Sequence, residues 1–472
     1  MISEAPRRLH LAAIAVDAVR SALQLAGGAV VIAVVQGGTP GLAAVMALGA
    51  IGVSSVAGWF TWRHKSYWLD DVALHYRSGV FTPDEKVVPR ARVQAVDTVT
   101  GPIQRLLGVV ELRVQVPGAS NADEIVLSAV THAEAARLRR ELGQPEPATP
   151  EAHVRLGRRG LLLTALTSPQ ISVALSAVAG VYALFNNVID VERDGEGLVE
   201  RLDSPQEIAL AVAIVLGAAY LLSFLAAIVV FAGFEVERDA RVLRIRRGLL
   251  ERRAQSIPLD RIDGVVIVEG LARGPLGLAT LRLETAAHGG ERAVSRTLLP
   301  LVRRADAEDV IARLVPGLAV TPGELQRPPR RALRRFVAPR VIAGAAVGAA
   351  PVVLWTSAAW PALPALALLG AAIGLRGYRG AGVRLADGVV VVREVRIARR
   401  TLLVRRHRLQ AHALRRTRLQ ERAALADLRV VVGSGGSGRA RHLDASTADA
   451  VFTALRRAGG AARGSTGTSS HA

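Results

Sequence analysis

Residues 92–114 read RVQAVDTVTGPIQRLLGVVELRV, and at 261–283 the chain returns to RIDGVVIVEGLARGPLGLATLRL. A fainter copy stands at 408–430, RLQAHALRRTRLQERAALADLRV. The first two copies align without a gap, so Gly79, Pro89, Arg92 and Gly108 fall at the same offset as Gly248, Pro258, Arg261 and Gly277. In the third, Arg408–Leu409–Gln410–Ala411 mirrors Arg92–Val93–Gln94–Ala95, and Asp427–Leu428–Arg429–Val430 mirrors Glu111–Leu112–Arg113–Val114. An internal repeat of this length is one structural unit used three times.

Each unit reads as short strands followed by a helix. ALHYRSGVF (73–81) and RVLRIRRGLL (241–250) alternate their side chains until a glycine marks a turn. VVELRVQV (109–116) alternates again, and Asn121 to Asp123 turn the chain into EIVLSAV. The closing helices are THAEAARLRREL (131–142), RADAEDVIARLV (304–315) and ASTADAVFTALRR (445–457), the first opened by a Thr131/Glu134 capping box. About seven strands closed by one helix make a small sandwich or open barrel.

Long apolar blocks precede each unit. Six stretches are candidate membrane spans, 11–35, 41–60, 161–186, 207–232, 337–357 and 360–375, arranged as three hairpins. The turns at 36–40 and 358–361 carry no charge, and 187–206 holds six acids against Arg193 and Arg201. By contrast 62–160 holds 14 Arg or Lys, 233–336 holds 20 and 376–472 another 20. Basic segments stay in the cytoplasm. The reading is therefore a multi-pass cell-membrane protein with both termini and all three domains cytoplasmic. Arg7–Arg8 before an apolar run resembles a signal-peptide start, but no A-x-A site follows and a second span comes at once.

Composition narrows the chemistry. Half of the 472 residues are hydrophobic but only 4% aromatic, with 45 Gly, which suits packed membrane helices. With no Cys, disulfides, thiolate metal sites and cysteine nucleophiles are excluded. The net charge is +20, and Lys65 and Lys86 stand alone among 60 basic residues that are otherwise arginine, a bias that codon composition explains.

The run R-[VI]-[QD]-x-V…GPIQRLLG…L-x-V, its closing helix and the preceding hairpin resemble the bacterial pleckstrin-homology (PH) domain membrane proteins of the YdbS/YdbT family, and the threefold arrangement looks like its longer, YdbT-like members. The third copy departs most: Val395, Arg405 and Ala424 replace the turn Gly, the Pro and Gly108. The resemblance implies membrane α-helical hairpins plus β-rich PH-like domains, with a non-catalytic binding role and an association with envelope stress tolerance. The expected layout is hairpins over 1–60, 155–232 and 333–376, PH-like domains over 61–145, 233–317 and 377–458, and a disordered tail over 459–472.

Within the motif, Gly79 and Gly248 are expected at positive φ, and Pro89 and Pro258 at strand edges. Gly101–Pro102 and Gly108 should bound a short helical corner, with Ile103, Leu106 and Leu107 turned into the barrel. Gln94 and Gln410 complete the motif, Asp263 replacing them in the second copy. Arg92, Arg261 and Arg408 suit an anion or partner contact, or equally an internal ion pair with an acid such as Asp97. Arg105 has no counterpart in the other copies. Arg244, Arg246, Arg247, Arg252 and Arg253 would lie close enough to the inner leaflet to attract anionic lipid.

Other constellations weigh less. GSGGSG (433–438) lacks the Lys–Ser/Thr of a phosphate loop and occupies a strand turn. His407 and His412 have no carboxylate between them, and no metal, cofactor or catalytic set is expected. Asp17 and Arg20 could pair on one face of the first helix and hint at an ion path, but the favoured reading puts them near the cytoplasmic end of a frayed or interfacial first helix, and Ser168–Pro169–Gln170 could kink the third span. Gly344/Gly348 and Gly370/Gly374 have the small-xxx-small spacing of close helix contact. The expected role is docking anionic lipid, a peptide or a membrane-associated protein such as a smaller PH-domain membrane protein, without nucleic acid; a transporter component is the rival reading.

Overall fold

In the computed structural model, which describes residues 5–21, 40–80, 82–93, 95–116, 125–143, 149–167, 205–285, 297–321, 323–354 and 360–464, the chain divides into two compact units, Met1–Ile257 and Pro258–Ala472. The division falls inside the second repeat.

In the first unit, strands β1 (Arg7–Arg8), β2 (Ser66–Leu69), β3 (Ala73–Ser78) and β4 (Asp84–Pro89) form one antiparallel sheet in that order. The alternation predicted for the next segment gives β5 (Ala95–Thr100), β6 (Val109–Gln115) and β7 (Ile125–Thr131). Leu69, Leu74 and Val88 from one layer meet Val96, Leu112, Val114 and Leu127 from the other. Leu138 of the closing helix His132–Glu141 packs into the same core. The residual exposure of these side chains is negligible, so burial of apolar surface drives the assembly.

The sheet does not stop at the repeat boundary. β5 pairs antiparallel with β11 (Arg252–Pro258) of the second repeat, continuing through β10 (Val242–Arg247) and β9 (Glu235–Arg238) to β8 (Ala152–Arg155), a seven-stranded sheet. The second unit repeats the device. There β12 (Ile262–Glu269), β13 (Leu278–Thr285) and β14 (Thr297–Arg303) join β17 (Arg399–Arg405), β16 (Val389–Val395) and β15 (Gly382–Ala386) through a β12–β17 ladder. A three-stranded sheet of β18 (Leu409–Arg415), β19 (Leu425–Val432) and β20 (Ser437–Asp444) packs on β16 and β17, closed by Val451 and Leu455 of the helix Ala445–Gly464. The third copy thus folds with the same order of elements despite its drift. Ala424 takes the place of Gly108 and Gly277 at a φ of 49°, beside their 65° and 66°.

The strand preceding each helical excursion pairs with the first strand after it. Arg7–Arg8 faces Ser66–Tyr67, Ala152–Arg155 faces Glu235–Arg238, and Gln326 bridges Val383. The excursions contain helices Pro40–Arg63, Arg158–Thr167 with Pro205–Phe231, and Leu333–Leu354 with Ala362–Gly380. Among the described residues no helix is long and apolar enough to cross a membrane. Most of the expected third span, the Ser168–Pro169–Gln170 kink and the acidic turn lie outside the described residues.

Three expectations are corrected here. The helical residues 12–21, expected to start the first span, lie instead on the first domain, with Leu9, Ala12 and Ala13 in its core. Asp17 and Arg20 do not pair with each other: Lys65 donates to Asp17 at 2.7 Å, and Arg20 to the fully buried Glu111 at 2.8 Å. The tail also starts later than expected, since the last helix runs to Gly464, past the expected boundary at residue 459.

The third hairpin shows why four glycines recur at one spacing. A Cβ on Gly344 would lie 2.2 Å from the Leu366 carbonyl, and one on Gly370 2.1 Å from that of Arg340. Gly348 and Gly374 are equally tight, against Leu363 and Val337. Gly344→Ala should therefore push the helices apart and cost about 1–3 kcal/mol, read as a lower Tm of detergent-purified protein. Gly52→Ala, with nothing within 4 Å, should leave Tm unchanged or raise it.

Asp70 and Asp239 turn equivalent hairpins, each accepting two backbone N–H bonds, from Val72 and Ala73 or from Arg241 and Val242. The Ala73 N–H, the His75 side chain and the Val72 N–H hold the Asp70 carboxyl at about 2. A depressed carboxylate stabilises fully above its unfolded pKa and loses that contribution as pH falls through the folded value. Acid titration of unfolding should show this loss between about pH 4 and pH 2. Asp70→Asn, which keeps the acceptor, should remove it.

Candidate functional site: the helical corners and the motif arginines

Each repeat turns between its fifth-strand equivalent and the next strand through a short helical corner. In the first, Gly101 precedes the helix Pro102–Leu106 and Gly108, at a φ of 65°, ends it. The side chain turned inward is Gln104, not the leucines: Leu106 is 86% exposed and Leu107 projects too. The reason is geometric. A single helical turn offers one inward position, and a bulged, polar strand end lies beneath it.

That bulge recurs. The register slips between Val110 and Leu112, Ala279 and Leu281, and Ala426 and Leu428, which places Glu111, Thr280 and Asp427 at equivalent buried positions. In the second repeat buried Arg273 donates to Thr280 Oγ1 and, at 2.8 Å, to the Pro300 carbonyl. In the third, Gln420 Nε2 donates to Asp427 at 2.8 Å and lies 2.9 Å from His442 Nδ1. Glu111 is held by Arg20 and Arg113. Sequence reasoning passed over Gln104, Arg273 and Gln420, because the residue type changes while its burial does not. Their common offset within the repeat was the available signal.

The outward side of each corner lies beside a helix end or the turn that caps it. Arg105 donates to the carbonyls of Leu249 and Leu250 at 3.4 and 3.3 Å, which brings the first corner beside the β10–β11 turn of the next repeat. That turn caps the helix Pro205–Phe231: the Leu249 N–H donates to the Val229 carbonyl, and Gly248, at a φ of 103°, donates to that of Ala232. Leu249 and Leu250 are exposed. The second unit has the same grouping, with Leu271 and Leu276 exposed on the corner, Gly274 close to Arg376, and exposed Ile397 on the turn that packs on Gly377 and Gly380. In the third corner Leu419 is exposed, and Arg335, near the start of the helix Leu333–Leu354, donates to its carbonyl.

Neighbouring acids narrow the basic face expected from sequence. Arg244 pairs with Asp239 at 2.8 Å, Arg246 with Glu237 at 3.5 Å and Arg253 with Glu251 at 2.9 Å, while Arg247 is buried. Arg252 remains exposed at the start of β11.

The motif arginines close equivalent 3₁₀ turns at Arg90–Arg92, Leu259–Arg261 and Arg406–Arg408, immediately after Pro89, Pro258 and Arg405. Their surroundings differ. Arg92 is exposed with no ion pair among the described residues, and Asp97, its expected brace, accepts from Gln115 at 3.0 Å. Arg261 is exposed, 3.9 Å from Asp260. Arg408 is half-buried and donates to the Asp260 carbonyl, beside Arg405, which donates to that of Leu259 at 3.3 Å. Asp263 and Gln410 sit where β12 and β18 slip register, so the motif position is a β-bulge; Gln94 lies outside the described residues.

GSGGSG forms the β19–β20 turn and closes over carboxylates. Ser434 Oγ donates to Glu284 at 2.8 Å, and a Cβ on Gly433 would lie 3.3 Å from Asp263. Burial raises the Asp263 carboxyl, with Arg408 pulling it back. Two acids at its floor make this turn a poor phosphate cradle. His407 remains on the 3₁₀ turn and His412 packs on Phe452. Among the described residues His153, Glu235 and Glu237 bring three potential ligand atoms within 4.8 Å of one another across β8 and β9. Arg155 already pairs with Glu235 at 3.0 Å and Arg246 with Glu237, so the cluster is a cross-strand ion-pair ladder.

Serial sandwiches with a closing helix and a bulged corner define a protein of repeated PH-like domains. The chain belongs to the bacterial PH domain family, whose model matches residues 12–146, 174–316 and 336–459. It is also similar to the transmembrane protein YdbT of Bacillus subtilis (strain 168), 26% identical over 377 residues that cover 72% of this chain and 75% of that one.

Gln420→Leu should leave Asp427 short of a donor and lower stability by about 1–3 kcal/mol. Leu106→Ser, at a position open to solvent, should change stability by less than about 0.5 kcal/mol. Thermal unfolding of the two full-length variants compares them directly.

Proposed function

We propose that the chain is a multi-pass membrane protein whose PH-like domains all face the cytoplasm and act by non-catalytic binding. The observation that carries this reading is the strand pairing across each helical excursion. A segment that leaves a sheet and returns to the same sheet begins and ends on one side, whatever it crosses between. The arginine-rich segments then select the cytoplasm.

The helices Pro40–Arg63 and Pro205–Phe231 have 24 and 27 residues and coincide with the apolar stretches 41–60 and 207–232 that the sequence offers as spans. Their sequences hold no charge between Pro40 and Trp62, or between Ile208 and Phe231. Val53, Val56, Leu210, Ile214 and Leu222 are exposed along them, a liability in water and normal against lipid. Trp59, Phe60 and Trp62 gather at the end of the first, as aromatic residues do at membrane interfaces. The name of the Bacillus subtilis relative also supports membrane insertion.

The corner leucines and the turns at the helix ends would then dip into the headgroup region, steadied by Arg105 and Arg252 on anionic lipid. The domain surfaces away from the bilayer remain for a protein or peptide. Nothing favours a transport path through Asp17 and Arg20, which are tied to Lys65 and Glu111.

The absence of Cys makes the test direct. In intact cells an impermeant maleimide should label Gly195→Cys in the acidic turn, and should reach Ser470→Cys only after permeabilisation. External labelling of Ser470→Cys would overturn the orientation. A fluorophore on Leu250→Cys in reconstituted protein should be quenched by lipid brominated near the headgroup. Emission of a fully hydrated dye would remove the leucine corner from the membrane.

A further inference from the structure

The two junctions between repeats obey one register. Thr98, six residues after Arg92, pairs with Ala254, seven before Arg261. Gly264, three after Arg261, pairs with Val404, four before Arg408. In both, a residue of one repeat meets the residue of the next that stands one place further from the motif arginine. The rule leaves two strand edges over. Among the described residues β4, at the start of the series, has a neighbour only on the β3 side, and β18, at its end, only on the β19 side.

We propose that these two edges are halves of one further junction, so that β18 of one copy pairs with β4 of a second copy. The same register would set Ala411 opposite Val88, Ala413 opposite Lys86 and Arg415 opposite Asp84. Arg415 and Asp84 are both exposed and have no ion partner among the described residues. One place beyond the matching position of the β12–β17 junction, Arg399 pairs with Glu269 at 3.0 Å, with the glutamate buried. The new junction would carry the same opposition of charge, reversed in direction.

Exposure agrees. In β12 six of eight residues are buried, whereas in its counterpart β18 none is, and Gln410, Ala411, Ala413 and Arg415 are open. Charges at a bare edge ordinarily prevent pairing. Here Asp84 on one edge and Arg415 on the other, neither with an ion partner among the described residues, would repel like edges while permitting unlike ones. Such a contact is heterologous, so copies would add head to tail until a ring closes or a row extends. Confinement to one membrane face, which rests on the proposed topology, raises the effective concentration of the edges, but the pairing itself does not depend on orientation.

The test uses full-length chains carrying different tags, coexpressed and oxidised in native membranes. A chain with Arg415→Cys and a chain with Asp84→Cys should form a mixed disulfide dimer. The same chemistry at Val99→Cys with Arg253→Cys within one chain, the matching register position of an existing junction, should give the internal bond and serves as control. Co-purification of tagged copies should fall about tenfold with Arg415→Asp and recover when the chain also carries Asp84→Arg. The proposal is overturned if the control links and the mixed dimer does not. It is equally overturned if Arg415→Cys links better to Val87→Cys, if it links only to Asp84→Cys in its own chain, or if it is captured solely by another protein.

Discussion

The structure depends on one constraint: a strand edge is a row of unmet hydrogen bonds, and this chain meets them by pairing between successive repeats and across each helical excursion. Pairing runs from β5 to β11 and from β12 to β17, so no repeat within the series ends in a bare edge on those sides. Pairing also runs across each helical excursion, through β1–β2, β8–β9 and the Gln326–Val383 bridge. The first kind carries each junction between neighbouring repeats inside one sheet, seven-stranded at β5–β11 and six-stranded at β12–β17. The second ties the root of each helical segment into a sheet, which fixes where the helices start and finish.

A second regularity lies in the polar interior. Every repeat buries a polar residue at the same strand bulge, Glu111, Thr280 or Asp427, and satisfies it from a different direction. An unmet group there would cost more than the bond contributes, so the network survives changes in residue type as long as a donor arrives. This explains how the third copy keeps the fold after losing its turn glycine, its proline and Gly108. Ala424 accepts a left-handed backbone conformation because the corner is held by a full Thr417/Gln420 capping box.

Much of the architecture was legible in sequence. The offset between Gly79 and Gly248, at φ values of 111° and 103°, follows from turns that only glycine tolerates well, and a Cβ on either would run into a backbone oxygen at 2.1 or 2.0 Å. The paired glycines of the third hairpin likewise sit where helix backbones touch. The corner was misjudged for a physical reason. Leu106 and Leu107 have the composition of core residues, and composition does not say whether an apolar side chain turns inward or outward. The Thr131 cap formed, but Glu134 turned from its expected return bond to Arg7, Tyr67 and Arg137, all brought near by distant strands.

The sequence by itself determined that one unit is used three times, where its strands alternate, which turns need glycine and which blocks are apolar enough for a helix. Those are local properties, written in periodicity and residue type. Only the tertiary structure decided which edge meets which, that the motif arginines hold unequal positions, and that the arginines of β10 and β11 are largely matched by acids. Backbone N–H and C=O groups are the same at every residue, so the side-chain pattern says that a strand exists without naming its neighbour. The neighbour is chosen by which pairing lets all the apolar faces be buried at once.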